Sequence, residues 1–173
     1  MKWLKTYRYE LLVVLVTAVG AILRFWEFGD WSLTNDELSA LYRARFDSWR
    51  EVPDKGVAID GHPAFAQWLL WAWTNAFGTL PGAIRFPFVL TAVSAIPVCY
   101  LAGRRMFSKS AALLAATALA FLQFPLLFAR VARPYAPGLL FVLLVAWALA
   151  EFRHRKEHQP AHASSIFAMP ELS

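Results

Sequence analysis

Apolar residues along this chain fall in long runs rather than at alternate positions, and short charged stretches separate the runs. Five runs stand out, at 11–28, 63–78, 84–102, 111–128 and 135–152. Four of them approach the roughly 20 residues, at about 1.5 Å each, that a helix needs to cross the hydrocarbon core of a bilayer. The run at 63–78, "PAFAQWLLWAWTNAFG", is different: it is short, opens on Pro63, carries Gln67 and Asn75, and holds three Trp. Tryptophan favours the membrane–water interface, so this segment predicts a helix lying in the membrane plane.

The pattern therefore predicts an all-α integral membrane protein with four transmembrane helices at 11–28, 84–102, 111–128 and 135–152. An outer loop, 29–83, carries juxtamembrane amphipathic helices, and 153–173 forms a polar cytoplasmic tail. Composition agrees, since 58% of the 173 residues are hydrophobic, with eight Trp and fourteen Phe, more than soluble domains usually hold. A cleaved signal peptide is the alternative for the first run, with Lys2, Lys5 and Arg8 before it and Ala18, Gly20 and Ala21 as small residues. The later runs, and Arg24-Phe25-Trp26 as an interface anchor, favour a retained span.

Charge placement supports the flat reading of 63–78. With four spans and the N-terminus inside, the inner face holds nine basic residues: Lys2, Lys5, Arg8, Arg104, Arg105, Lys109, Arg153, Arg155 and Lys156. The outer face then holds eight: Arg24, Arg43, Arg45, Arg50, Lys55, Arg85, Arg130 and Arg133. If 63–78 crossed the bilayer, the counts would become six and eleven, against the positive-inside rule. The single cysteine, Cys99, says nothing of redox compartment. There is no internal repeat, nucleotide-binding glycine pattern or zinc spacing, and nothing suggests a nucleic-acid partner.

Candidate chemistry begins in the outer loop. In "TNDE", Thr34 and Glu37 have the spacing of a capping box, and Asp36 sits in the positive first turn of the helix. Leu38, Leu41, Tyr42, Phe46 and Trp49 then recur at helical spacing, which predicts an apolar stripe resting on the membrane. Asp36, Arg43 and Asp47 share the opposite face. Capping alone accounts for Glu37, whereas Asp36 is freer to do chemistry. His62, in "DGHP", joins the candidate set, with an uninvolved loop histidine as the simpler reading.

Arginine stands near the outer end of every span: Arg24, Arg85, and Arg130 with Arg133. An arginine deep in a membrane helix costs about 3 kcal/mol, and outer-side arginines oppose the topology signal, so function is the default explanation. Guanidinium forks suit phosphate, and a ring of them at headgroup depth would suit a lipid phosphate. Snorkelling to ordinary anionic headgroups is the alternative.

Four stretches, in order, resemble the N-terminal part of a GT-C glycosyltransferase, the superfamily of protein O-mannosyltransferases and lipid A aminoarabinose transferases. "LRFWEFGDWSLTNDELSALYRARF" is similar to the end of a first span and its Asp-Glu loop. "GHPAFAQWLLWAWTNAFG" resembles a His-Pro-Pro-type juxtamembrane helix, with Ala64 where a second proline is common. "GAIRFPFVLTAVSAIPVCYLAGRRMFSKSAALLAA" resembles an Arg-x-Pro span start and its basic inner turn, and "FARVARPYAPGLLFVLL" an Arg-x-x-x-Tyr span entry. The resemblance implies inverting transfer of a sugar from a polyprenyl-phosphate donor at the outer face. It makes Asp36, with Glu37 beside it, the catalytic acid pair and Asp36 the general base. It gives Arg85, Arg130 and Arg133, with His62 and Arg24, to the lipid phosphate or substrate. A metal requirement and the acceptor are left open, and membrane lipid and the lipid-linked sugar are the expected partners. A bacterial inner (plasma) membrane with the N-terminus cytoplasmic is the expected location.

Family enzymes are longer, so a non-catalytic truncated or accessory membrane protein that keeps a lipid-phosphate site is the alternative expectation. A small transporter subunit fits less well, because no charge lies mid-span. In the tail, His154, His158 and His162 have metal-like helical spacing, but Pro160 interrupts the helix and a solvated basic tail is expected.

Overall fold

A computed structural model describes residues 7–58 and 63–158, and every regular element among them is helical. These are α1 (Arg8–Phe25), α2 (Asn35–Tyr42), a π-helical turn (Val52–Val57), α3 (Ala64–Phe77), α4 (Pro81–Met106), α5 (Lys109–Phe121), α6 (Gln123–Ala129) and α7 (Tyr135–His158). Helix α4 is the spine, packing against α1, α3, α5 and α7.

Two helices, α4 and α7, are long and apolar enough to cross a membrane, and α5 with α6 makes a third if the bent pair is one span. Four such spans were expected. The first expected span, α1, is as apolar on average as α4 and α7 but is only 18 residues long and carries three charged side chains, Arg8, Glu10 and Arg24, within that length. The third was expected to run unbroken over 111–128. It bends instead by 57° between Phe121 and Gln123. Pro125 explains the break: it has no N–H for the carbonyl of Phe121, and its ring would collide with that carbonyl in a continuous helix.

The spans pack through small residues. Ala112, Ala116 and Ala120 of α5 are buried against Val13 of α1 and Ile96 and Tyr100 of α4. A Cβ on Gly103 would sit 3.0 Å from that of Ala112, so small side chains are what let α4 and α5 approach. A second cluster lies between α1 and α4 in sequence and against α4 in space, where Ala40, Leu41 and Ala44 meet Ala66 and Leu70 of α3 and Ile84 and Phe88 of α4.

Helix α3 begins at Ala64, directly after Pro63, and its 14 residues reach about 21 Å, too short to cross the apolar core. Its indoles hold the loop before it: Trp71 donates to the Phe46 carbonyl at 2.8 Å and Trp68 to that of Trp49 at 3.0 Å. Helix α7 continues to His158, so the part of the expected tail at 153–158 is helical. His62 and His162 lie outside the described residues.

Candidate functional site

The capping box forms as its spacing predicts. Thr34 is the N-cap of α2, its hydroxyl accepts from the Glu37 N–H at 3.3 Å, and Glu37 Oε2 accepts from the Thr34 N–H at 2.9 Å. The helix is shorter than the stripe predicted. It ends at Tyr42, so Leu38, Tyr42 and Trp49 stay exposed, while Glu37, Ala40 and Leu41 face inward.

Glu37 is fully buried, and its carboxylate is the hub of this end of the bundle. Oε1 accepts from Arg85 Nε at 2.7 Å and from the Ala132 N–H at 3.1 Å, and Oε2 accepts from Arg85 Nη2 at 2.8 Å. Burial would raise the Glu37 carboxyl, but the hydrogen bonds from Arg85, Thr34 and Ala132, with the Arg85 charge, outweigh it and hold the group below the usual glutamate value. Three segments distant in sequence therefore converge on one side chain: the start of α2, the start of α4, and the turn after α6.

Arg85 completes the knot. Besides the fork on Glu37, Nη1 donates to the carbonyls of Phe28 at 2.9 Å and Trp31 at 3.0 Å, and Nη2 to that of Ser32 at 3.0 Å. All five guanidinium N–H groups are thus given to the protein. The carbonyls come from the bend that follows α1, where Glu27 takes a left-handed φ of 53°. That bend crosses α4 so closely that a Cβ on Gly29 would lie 3.2 Å from the Cα of Gly82; glycine at both positions permits the crossing.

Two more of the expected phosphate-binding arginines also end on carbonyls. Arg24 is only 1% exposed. Its Nη2 donates to Leu119 at 2.8 Å, and its Nη1 to Ala120 at 3.0 Å and Gly20 at 3.1 Å. The carbonyls of Leu119 and Ala120 lie in the last turn of α5, which the break leaves without helical donors, and a cation there also meets the negative end of the helix. Arg130 returns the arrangement: from the end of α6 it donates through Nη2 to Leu23, in the last turn of α1.

Asp36 differs from all of these. Its side chain is 65% exposed, and Oδ1 lies 3.2 Å from Nη2 of Arg133, whose own side chain is 8% exposed. The Ala132 N–H that binds Glu37 is one residue away, so docking of the 130–134 turn onto Glu37 is what sets Arg133 against Asp36. The structure thus brings Asp36, Glu37, Arg85 and Arg133 together, with Arg24 and Arg130 at the neighbouring ends of α1, α5 and α6. Sequence reasoning missed the backbone of Ala132 and the carbonyls of Phe28, Trp31 and Ser32. No periodicity signals these, but Pro125, four residues beyond Phe121, was a readable sign of orphaned carbonyls near Arg24.

A family model for dolichyl-phosphate-mannose-protein mannosyltransferases matches residues 61–168. The chain belongs to that family. It is a membrane glycosyltransferase family, and the exposed apolar faces of α4 and α7 accord with a membrane protein. The match covers Arg85, Arg130 and Arg133 and begins after Asp36 and Glu37. No curated protein and no solved structure matches the chain.

Proposed function

We propose that the chain transfers a sugar from a polyprenyl-phosphate donor to an acceptor hydroxyl, with Asp36 as the general base. The observation that carries this reading is the division between neighbouring acids: Glu37 is buried and fully paired, whereas Asp36 is exposed and aimed by Arg133 from a rigid support. Asp36 takes the proton of the acceptor hydroxyl as its oxygen attacks the anomeric carbon, and the bond from that carbon to the lipid phosphate breaks. Positive charge opposite the departing phosphate lowers the barrier, and Arg133 with Arg130 supplies it from the 130–134 turn. Arg85 and Arg24, with their donors directed at the protein, hold the helix ends that carry those groups, and Glu37 positions rather than reacts.

The topology that accompanies this reading has α1 as a fourth span, because its charges sit at its two ends and Arg24 is neutralised in part by three carbonyls. The N-terminus is then inside and Asp36 outside, in a bacterial inner membrane. The test is transfer from a radiolabelled polyprenyl-phosphate sugar by the chain reconstituted in liposomes. Asp36→Asn should lower transfer by at least about 100-fold while the protein stays inserted. Unchanged transfer removes Asp36 from the mechanism. A wild-type chain that binds polyprenyl phosphate but transfers nothing supports a non-catalytic lipid-phosphate-binding protein instead.

A further inference from the structure

At the end of the bundle remote from Asp36, a cleft of about 510 Å³ opens between the last turn of α4 and α7. Twenty residues of α4, about 30 Å, separate Arg85 from Arg105, which lines this cleft. Its volume is within the range of about 300–1,000 Å³ usual for small-ligand sites. The cleft exists because α7 presents Ala146 and Ala150, one helical turn apart, to the end of α4.

The lining is ordered along the helix axis. Ala146, Leu149 and Ala150 lie deeper, and Arg153, His154 and Glu157 lie at the rim, with Arg105 and Phe107 contributed from α4 and the residues after it. That order, apolar below and cationic above, matches an acyl chain under an anionic headgroup. Two neighbouring cations are already committed, Arg155 to Glu151 at 3.2 Å and Lys109 to Glu10 at 3.6 Å, while Arg105 meets Glu151 through Nε at 2.8 Å. Arg153 stands apart, with no hydrogen bond or ion pair among the described residues. Among the described residues, Glu157, one turn beyond, is the carboxylate that lines this cleft, beside the cations Arg105 and Arg153.

We propose that this cleft binds one acidic phospholipid of the leaflet at that end, its phosphate between Arg153 and Arg105 and its chain along Ala146, Leu149 and Ala150. General attraction of anionic lipids to basic helix ends would use charge without shape, whereas the cleft uses both. Native mass spectrometry of the full chain, released from micelles containing mixed phosphatidylglycerol and phosphatidylcholine, separates the two. The expected result is one retained phosphatidylglycerol. Arg153→Gln weakens its retention about fivefold, and Ala150→Leu, which fills the cleft without changing charge, abolishes it. Lys156→Gln, a charge control outside the lining, leaves retention unchanged. Circular dichroism confirms that each variant is folded, and should Ala150→Leu unfold, Ala146→Ser with its smaller added volume serves in its place. Equal loss in Arg153→Gln and Lys156→Gln, or full retention when the cleft is filled, overturns the proposal.

Discussion

Two adjacent acids at the start of α2 occupy opposite physical situations. Glu37 sits in a buried knot that joins α2, α4 and the 130–134 turn, and both of its carboxylate oxygens accept hydrogen bonds there. Asp36, one residue earlier on the same helix turn, lies at the edge of that knot with most of its side chain in water. A helix separates successive residues by about 100°, so a single step along α2 takes a carboxylate from a buried ion pair to an exposed edge. The lesson is that burial and pairing, rather than residue type, decide whether a carboxylate supports the fold.

The comparison is broken most severely from the buried side. Glu37→Gln leaves the Arg85 charge buried without its partner, and Arg85→Met does the same to the carboxylate. Each should cost about 3–5 kcal/mol, seen as a lower unfolding temperature in detergent and faster proteolysis of the outer loop. The pH dependence has a definite sign. Because the native Glu37 carboxyl is held below its ordinary value, its contribution is complete above the ordinary glutamate pKa of about 4.3 and is lost as pH falls through the lower native value. Unfolding followed from neutral pH downward should show that loss in the wild-type chain and not in Glu37→Gln.

The next effect concerns the arginine caps. Arg24→Met keeps an apolar side chain of similar reach but returns the Leu119 and Ala120 carbonyls to the unpaired state at the α5–α6 break. The expected destabilisation is about 1–3 kcal/mol, with faster amide exchange in α5 and α6 than in α7. Thr34→Ala comes third. It removes the N-cap hydroxyl while Arg85 and Ala132 continue to hold Glu37, and about 1 kcal/mol is expected in thermal unfolding.

These predictions also show what the sequence made legible. The capping box and the short helix α3 that opens after Pro63 follow from local chemistry that a few neighbouring residues determine. The partner of Arg85 does not, because Glu37 is 48 residues away and the three carbonyls it also binds carry no side-chain signature. The outer arginines were read as a seat for phosphate because an arginine in lipid needs an anion. Arg24, Arg85 and Arg130 also donate to carbonyl oxygens at helix ends and in the 28–32 bend, partners that periodicity does not reveal. The break after Phe121 was readable from Pro125, yet the apolar run at 111–128 hid it, since hydropathy registers composition and not the missing N–H.

The central claim is that Glu37 supports and Asp36 does not. It is tested most directly by thermal unfolding of Asp36→Asn beside Glu37→Gln in the same detergent and buffer. An exposed ion pair contributes at most about 1 kcal/mol, so Asp36→Asn should unfold close to the wild-type temperature while Glu37→Gln unfolds well below it. Equal losses in the two variants, or the larger loss in Asp36→Asn, would contradict the division between the neighbouring acids.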